Sequence, residues 1–281
     1  MFFPQITLNC NGQLLSLEKP IVMGILNVTP DSFFDGGHYA NEKTVLRQAE
    51  KMLAAGAKII DIGGMSSRPG AKIISSKTEI ARILPPIQQI MKAFPETIIS
   101  IDTIRSEVAR VAVEAGASMI NDISAGSLDP NFYKTVAALQ VPYILMHMQG
   151  KPENMQDHPE YADISLEVLD FFIKEVGKLR ELGVKDIILD PGFGFGKTID
   201  HNYQLLNNMH VYQILELPIL AGISRKSMIY KYLGNSPEKA LNGTTALNMV
   251  ALQQGAKILR VHDVKEAVET IQLFLKLEEY G

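Results

Sequence analysis

Apolar and polar positions along the chain fall into a juncture that repeats. Ile21 to Leu26 is a short apolar run with one Gly inside it, and Asn27 ends it. A run without polar alternation predicts a strand covered on both faces. Thr29 to Gly37, rich in Pro, Asp, Ser and Gly, predicts a surface loop. The adjacent Phe33 and Phe34 in that loop suggest either a cover over a ligand or a pair packed on a neighbouring helix.

Further on, amphipathic stretches end in a Gly, and an apolar run follows that stops at a polar residue. The join recurs at Gly56 to Asp61, Gly116 to Asn121, Gly183 to Asp190 and Gly255 to Arg260. A Gly suits the left-handed position just past a helix. Ile164, Val168, Phe172, Val176 and Leu179 recur at steps of three or four, which places them on one helical face. Eight apolar runs, near 21–26, 57–61, 97–102, 117–121, 141–147, 186–190, 217–223 and 256–261, alternate with such helices. This order predicts an α/β fold, a closed TIM (β/α)8 barrel forming a single domain over 1–281, with an open doubly wound sheet as the alternative. Gln5 to Leu17 carries Asn11-Gly12, which predicts a short N-terminal β-hairpin.

The formal charge of −4 argues against a nucleic-acid or anionic-membrane partner, so any anionic ligand must meet a local basic cluster. The single cysteine, Cys10, allows no intrachain disulfide and no thiolate metal cage. No basic leader precedes an apolar core at the start, and no apolar run reaches the roughly 18 residues a bilayer demands. The expectation is a soluble, cytoplasmic protein.

A barrel collects its strand ends on the face where active sites form. Here those ends read Asn27, Asp61, Asp102, Asn121, His147, Asp190, then Ser224 with Arg225 and Lys226, and Arg260 with His262. Carboxylates, amides and cations in this number exceed what a strand exit requires. The segment Asp190 to Thr198 is not a phosphate loop, because Gly192 and Gly196 enclose three residues rather than four. It reads as a wall in which Phe195 either lies over a flat ligand or packs inward. The basic residues after the last two strands stand where barrels often bind phosphate, and Arg68 in the Ser67-Arg68-Pro69-Gly70 turn adds a cation. His147 between Met146 and Met148 suggests a pocket wall rather than a metal ligand. An Mg²⁺ carried by a diphosphate requires only one or two protein oxygens, and Asn27 can supply one.

Eight ordered blocks carry a resemblance: GILNVTPDSFFDGG, SSRPGA, ISIDT, INDISAG, LMHMQGKP, DPGFGFGKT, GISRKS and RVHDV. Together they resemble the dihydropteroate synthase family over nearly all of the chain from Ile21 onward. The resemblance implies a TIM barrel that joins p-aminobenzoate to a 7,8-dihydropterin diphosphate, releases diphosphate with Mg²⁺ as cofactor, and works as a homodimer. It implies Asp102, Lys226 and Asp35 as catalytic residues. For the pterin it implies Asp102, Asn121, Met146, Asp190, Phe195, Lys226 and Arg260. For diphosphate it implies Asn27, Arg68, Arg260 and His262, with Asn27 also on the metal. For p-aminobenzoate it implies Ser67, Pro69, Phe195 and Ser227, with Thr29 to Gly37 closing over this substrate. Ser67 departs from the Thr common in the family, so a hydroxyl is kept and a methyl contact is lost. The alternatives are a pterin-dependent methyltransferase domain and a non-catalytic pterin-binding paralogue; the SRPGA turn together with GISRKS favours the synthase.

Overall fold

A computed structural model of the chain describes residues 6–29, 37–66, 73–150, 155 and 158–280, with the backbone alone over 37–42. Phe33, Phe34, Asp35, Ser67, Arg68 and Pro69 lie outside the described residues.

The Asn11-Gly12 pair makes the turn of a hairpin between β1 (Thr7–Cys10) and β2 (Gln13–Ser16). Both turn residues have positive φ, +55° and +93°, as a two-residue hairpin turn requires. Eight parallel strands then close a barrel: β3 (Ile21–Asn27), β4 (Ile59–Gly63), β5 (Ile98–Asp102), β6 (Met119–Asp122), β7 (Tyr143–Met146), β8 (Ile187–Asp190), β9 (Ile219–Ala221) and β10 (Ala256–Val261). They pair in chain order, and β10 returns to β3. Closure excludes the open doubly wound sheet.

Helices cover the outside: α1 (Gly37–Ala54), α2 (Ser76–Ala93), α3 (Ser106–Glu114), α4 (Phe132–Leu139), α5 (Ile164–Glu181), α6 (Ile199–Asn207), the short α7 (Ser227–Tyr230), α8 (Leu241–Gln253) and α9 (Val264–Glu278). On α5 the face expected from spacing, Ile164, Val168, Phe172, Val176 and Leu179, is the buried one. Asp163 starts that helix by accepting hydrogen bonds from the backbone N–H groups of Ser165 and Leu166, at 2.9 and 3.1 Å. Among the described residues no helix is long and apolar enough to cross a membrane.

Strand period two divides the apolar residues into two cores. Ile60, Ile62, Ile99, Ile101, Ile120, Leu145, Ile187 and Leu189 face the helices. Met23, Ile59, Ile98, Met119, Ile144, Ile188, Leu220 and Ile258, one from each barrel strand, fill the lower interior. Leu8, Cys10, Leu15 and Leu17 join that inner layer from below, so the hairpin plugs the barrel's N-terminal end. Cys10 is therefore part of a core, and burial pushes its thiol up to about 12.

Leu8 is fully buried in the plug. Leu8→Ala is expected to cost about 2–5 kcal/mol in urea unfolding, with KM values unchanged because the plug lies at the end of the barrel away from the strand C-termini.

Candidate active site

Two residues above the apolar inner layer, the inward positions change character. They are Ile25, Asp61, Ser100, Asn121, Met146, Asp190, Gly222 and Arg260, with Asn27, Gly63 and Asp102 one step higher. The interior thus turns from apolar to charged within one strand repeat. Asp61, expected at a strand exit, lies in the middle of β4, because Ala57 and Lys58 belong to the helix-to-strand join and β4 begins at Ile59.

Arg260 spans this layer. Its Nε donates to Asp61 Oδ2 at 2.7 Å and its Nη2 to Asp102 Oδ2 at 2.9 Å. Asn121 Nδ2 donates to the same Asp61 oxygen at 3.1 Å, which leaves the amide carbonyl and a second N–H for other partners. One carboxylate on β4 thereby ties β10 and β6 across the barrel. Burial raises the Asp102 carboxyl to about 7; Arg260 opposes the rise, and the charges of Asp61, Glu79 and Asp122 add to it. Asp61 Oδ1 and Ser100 Oγ are buried without a hydrogen-bond partner among the described residues.

Asp190 ends β8 beside this group. Its Oδ1 accepts from the Gly192 N–H at 2.7 Å. Burial raises its pKa, and Lys226, that N–H, Arg260 and Lys197 pull it back. Lys226 Nζ donates to the Phe193 carbonyl and stands 4.6 Å from the centroid of the Phe195 ring. Burial lowers the Lys226 amine to about 8, against the attraction of Asp190. A Cβ on Gly222 would lie 3.9 Å from Asp190 Oδ2 and 4.0 Å from Lys226 Nζ, so the glycine keeps the space between acid and amine open. Phe195 packs against an apolar group built on Ile104, Ile123 and Met146, with Met65 and Met148 beside it. Of the two alternatives the sequence left open, the described contacts show the ring packed on an apolar wall, with the Lys226 amine over it.

The turn after β8 is pressed against the end of β7. Gly192 has φ +71°, and a Cβ there would sit 1.9 Å from the His147 carbonyl oxygen. No other residue type fits.

The expected basic cluster divides in two. Arg225, at φ +55°, turns to Asp263 and donates to both its oxygens, from Nε at 2.9 Å and Nη2 at 2.6 Å. It braces the loops after β9 and β10, and its charge is spent there. His262 pairs with Ser224, its Nδ1 being 3.0 Å from the hydroxyl and its N–H donating to it at 3.1 Å. Asn27 ends β3, its Oδ1 3.5 Å from the Cβ position that Gly63 lacks.

The barrel thus brings Asp102, Asn121, Met146, Asp190, Phe195, Lys226 and Arg260 together at one mouth, with Asn27 at the end of β3, His262 just past β10, and Ser227 opening α7 next to Lys226. Asp35, Ser67, Arg68 and Pro69 fall outside the described residues. Two participants had no assigned role in the sequence reading. Asp61 stood among the strand-end polar residues, but its inward position within β4, paired with Arg260 and Asn121, was not foreseen. Lys197 is a buried amine that joins its own turn to His147, 50 residues earlier, and the sequence carried no sign of it.

Residues 23–262 match the model of the pterin binding enzyme family. The chain is 45% identical over 264 residues to the dihydropteroate synthase of Escherichia coli K12, covering 93% of each. A Yersinia pestis dihydropteroate synthase solved with a sulfonamide drug superposes with TM-score 0.92 at 42% identity, over 97% of this chain and 99% of that one. The Xanthomonas albilineans enzyme in complex with 7,8-dihydropteroate superposes with TM-score 0.87 at 36% identity, over 97% and 98%. A closed barrel with this polar layer, matched along nearly its whole length by these proteins, places the chain in the dihydropteroate synthase family of pterin-binding enzymes.

Proposed function

We propose that the mouth of the barrel binds a 7,8-dihydropterin diphosphate and p-aminobenzoate and joins them to dihydropteroate, a transferase reaction with diphosphate as leaving group. The observation that carries this reading is the polar layer itself. Asp190, Asn121, Lys226 and Arg260 converge there on one buried space, in a chain whose relative was solved with 7,8-dihydropteroate.

A pterin presents two parallel N–H donors along its guanidine-like edge, and the Asp190 carboxylate is the acceptor suited to them. Asn121 offers its carbonyl and remaining N–H to the other ring nitrogens. Lys226 reaches the ring carbonyl, and Met146 and Phe195 provide the apolar wall. Arg260, fixed edgewise by Asp61 and Asp102, turns its flat face to the ring, a cation–π contact worth about 2 kcal/mol when desolvated. Asn27, Arg260 and His262 surround the position of the diphosphate. Ser227 beside Lys226, together with the Phe195 ring, stands at the place of the aromatic acid, and Ser67, Arg68, Pro69 and Asp35 keep the parts the family resemblance gives them.

In the reaction the bond from the pterin methylene carbon to the diphosphate oxygen breaks, and its electron pair leaves with diphosphate. The arylamine lone pair then forms the new carbon–nitrogen bond, and the nitrogen releases a proton to solvent. Asp102 offsets positive charge on the methylene carbon, and the cations offset negative charge on the leaving oxygens. No side chain acts as nucleophile; positioning and electrostatics lower the barrier.

Among the described residues no group of three or more His, Cys, Asp or Glu is arranged to hold a metal. We read the Asn27 side chain at the end of β3 as offering one oxygen to an Mg²⁺ that would draw most of its oxygens from diphosphate and water. Such an ion neutralises diphosphate charge when bound. We further read the chain as a single-domain, cytoplasmic homodimer. The single cysteine is in keeping with a reducing compartment. Leu273 and Leu277, exposed four residues apart on α9, provide apolar surface for a second copy.

Purified protein mixed with the pterin diphosphate, p-aminobenzoate and Mg²⁺ is expected to release dihydropteroate and diphosphate in equal amounts, with a sulfonamide competing against p-aminobenzoate. Inhibition indifferent to p-aminobenzoate concentration would contradict the shared site. Asp190→Asn is expected to weaken pterin binding by about 1.5–3 kcal/mol in calorimetry, and unchanged affinity would remove its role. Asp102 is a carboxylate above its pKa of about 7 and neutral below it. Pterin affinity is therefore expected to fall as pH drops from about 8 to about 5.5, and Asp102→Asn to remove the step near neutrality.

A further inference from the structure

Lys197 has no part in the reaction described above, yet it is placed with care. It is 3% exposed, at the end of the turn that follows β8. Its Nζ lies 3.0 Å from each of three atoms: His147 Nδ1, the Gly192 carbonyl oxygen and the Phe195 carbonyl oxygen. The His147 carbonyl is a longer fourth neighbour at 3.4 Å. An ammonium has three hydrogens, and three close partners take them. Burial and the Lys197 charge hold the His147 imidazole down to about 2, so the ring is neutral and Nδ1 can accept. Burial also lowers the amine itself to about 7. When the amine is neutral, Nδ1–H can donate to it, so the three contacts hold in both states.

Two of these partners belong to the turn after β8 and one to the residue after β7. The side chain bolts the turn to the neighbouring strand, at the place where Gly192 and Gly196 press it against the His147 and Gln149 carbonyls. The bolted segment carries two groups of the site. The Gly192 N–H holds Asp190, and the Phe195 ring lies below the Lys226 amine. Asp190 has further support from Lys226 and Arg260. Phe195 is held through its backbone by the Lys197 contact and by its own N–H, which donates to the Gly192 carbonyl at 3.1 Å. That carbonyl is itself bound by Lys197.

We propose that Lys197 is a positioning residue for the second substrate: by gripping the Gly192 and Phe195 carbonyls it fixes the Phe195 ring against which p-aminobenzoate packs. This rests on the placement of Phe195 in the p-aminobenzoate site. Lys197 touches neither substrate, and because Lys226 and Arg260 also support Asp190, its loss acts chiefly through the ring.

Steady-state kinetics on the full chain, varying each substrate with the other saturating, tests it. Lys197→Met, of similar length and without donors, is expected to raise KM for p-aminobenzoate about tenfold while kcat and the pterin KM stay within about threefold. Lys197→Gln, which retains N–H donors, is expected to fall between Met and wild type. The double variant Phe195→Ala/Lys197→Met is expected to show a KM no higher than Phe195→Ala alone, because both changes remove the same contact. Multiplying effects in the double variant, or a Lys197→Met defect confined to kcat or to the pterin KM, would overturn the proposal. A Phe195→Ala variant with unchanged p-aminobenzoate KM overturns the placement of Phe195 and this inference together; a defective Phe195→Ala beside a silent Lys197→Met overturns the inference alone. If Lys197→Met does not fold, Lys197→Gln in the same cycle decides by the same criteria.

Discussion

The structure depends on one guanidinium held between two carboxylates inside a barrel. Arg260 enters from β10 and meets Asp61 from β4 and Asp102 from β5. Away from water, an ion stripped of its partner is destabilising by about 3–5 kcal/mol, so loss of Arg260 strands two carboxylates, whereas loss of one carboxylate leaves the guanidinium the other. Asp61 also receives Asn121 from β6, and Asp190 with Lys226 stands alongside. Three acids, Asp61, Asp102 and Asp190, are balanced by Arg260, Lys226 and Lys197. The mouth is dense in charge and close to neutral. That balance lets it remain buried, and it leaves directional donors and acceptors rather than a net field to recognise a ligand.

The barrel separates stability from chemistry along its axis. Below the charged layer, one apolar residue from every strand meets the hairpin plug, and above it each inward position except Ile25 is polar, small or part of the apolar wall around Met146. The step between them is two residues, a single strand repeat of roughly 7 Å. Such a short transition confines the cost of buried charge to one layer, while the layer beneath gains from hydrophobic burial. The charged layer in turn relies on close backbone approach. The turn after β8 reaches the exit of β7 only because Gly192 carries no Cβ, and Lys197 then ties the two together.

Much of the architecture was legible in the chain. Unbroken apolar runs ending at Asn27, Asp102 and Asp190 marked strands, because both faces of a barrel strand are covered and only its end reaches the mouth. Gly56 and Gly116, found at φ +102° and +116°, marked helix ends for a steric reason that is local. Asn11-Gly12 specified a hairpin but not its place. Nothing in the period of β1 or β2 says that Leu8 and Cys10 enter the bottom of a barrel formed by residues up to 261. Asp61 was visible as a strand-end polar residue and mistaken in kind, because a shift of two residues in the strand start moves it from rim to interior.

Local sequence thus determined which residues form strands, where the helices stop, that eight strand–helix repeats were present, and which polar types stood at the strand ends. Each of these follows from steric or hydrophobic preferences acting over a few residues. The tertiary structure decided the pairing among them. Arg225 is spent on Asp263 and Lys226 turns to Asp190, although the two are adjacent and of one charge. Arg260 finds an acid 199 residues away. Lys197 finds His147, 50 residues earlier. Only closure of the barrel brings such positions within hydrogen-bond distance, because the partners are chosen by strand order and register, and neither is written in the neighbourhood of any one residue.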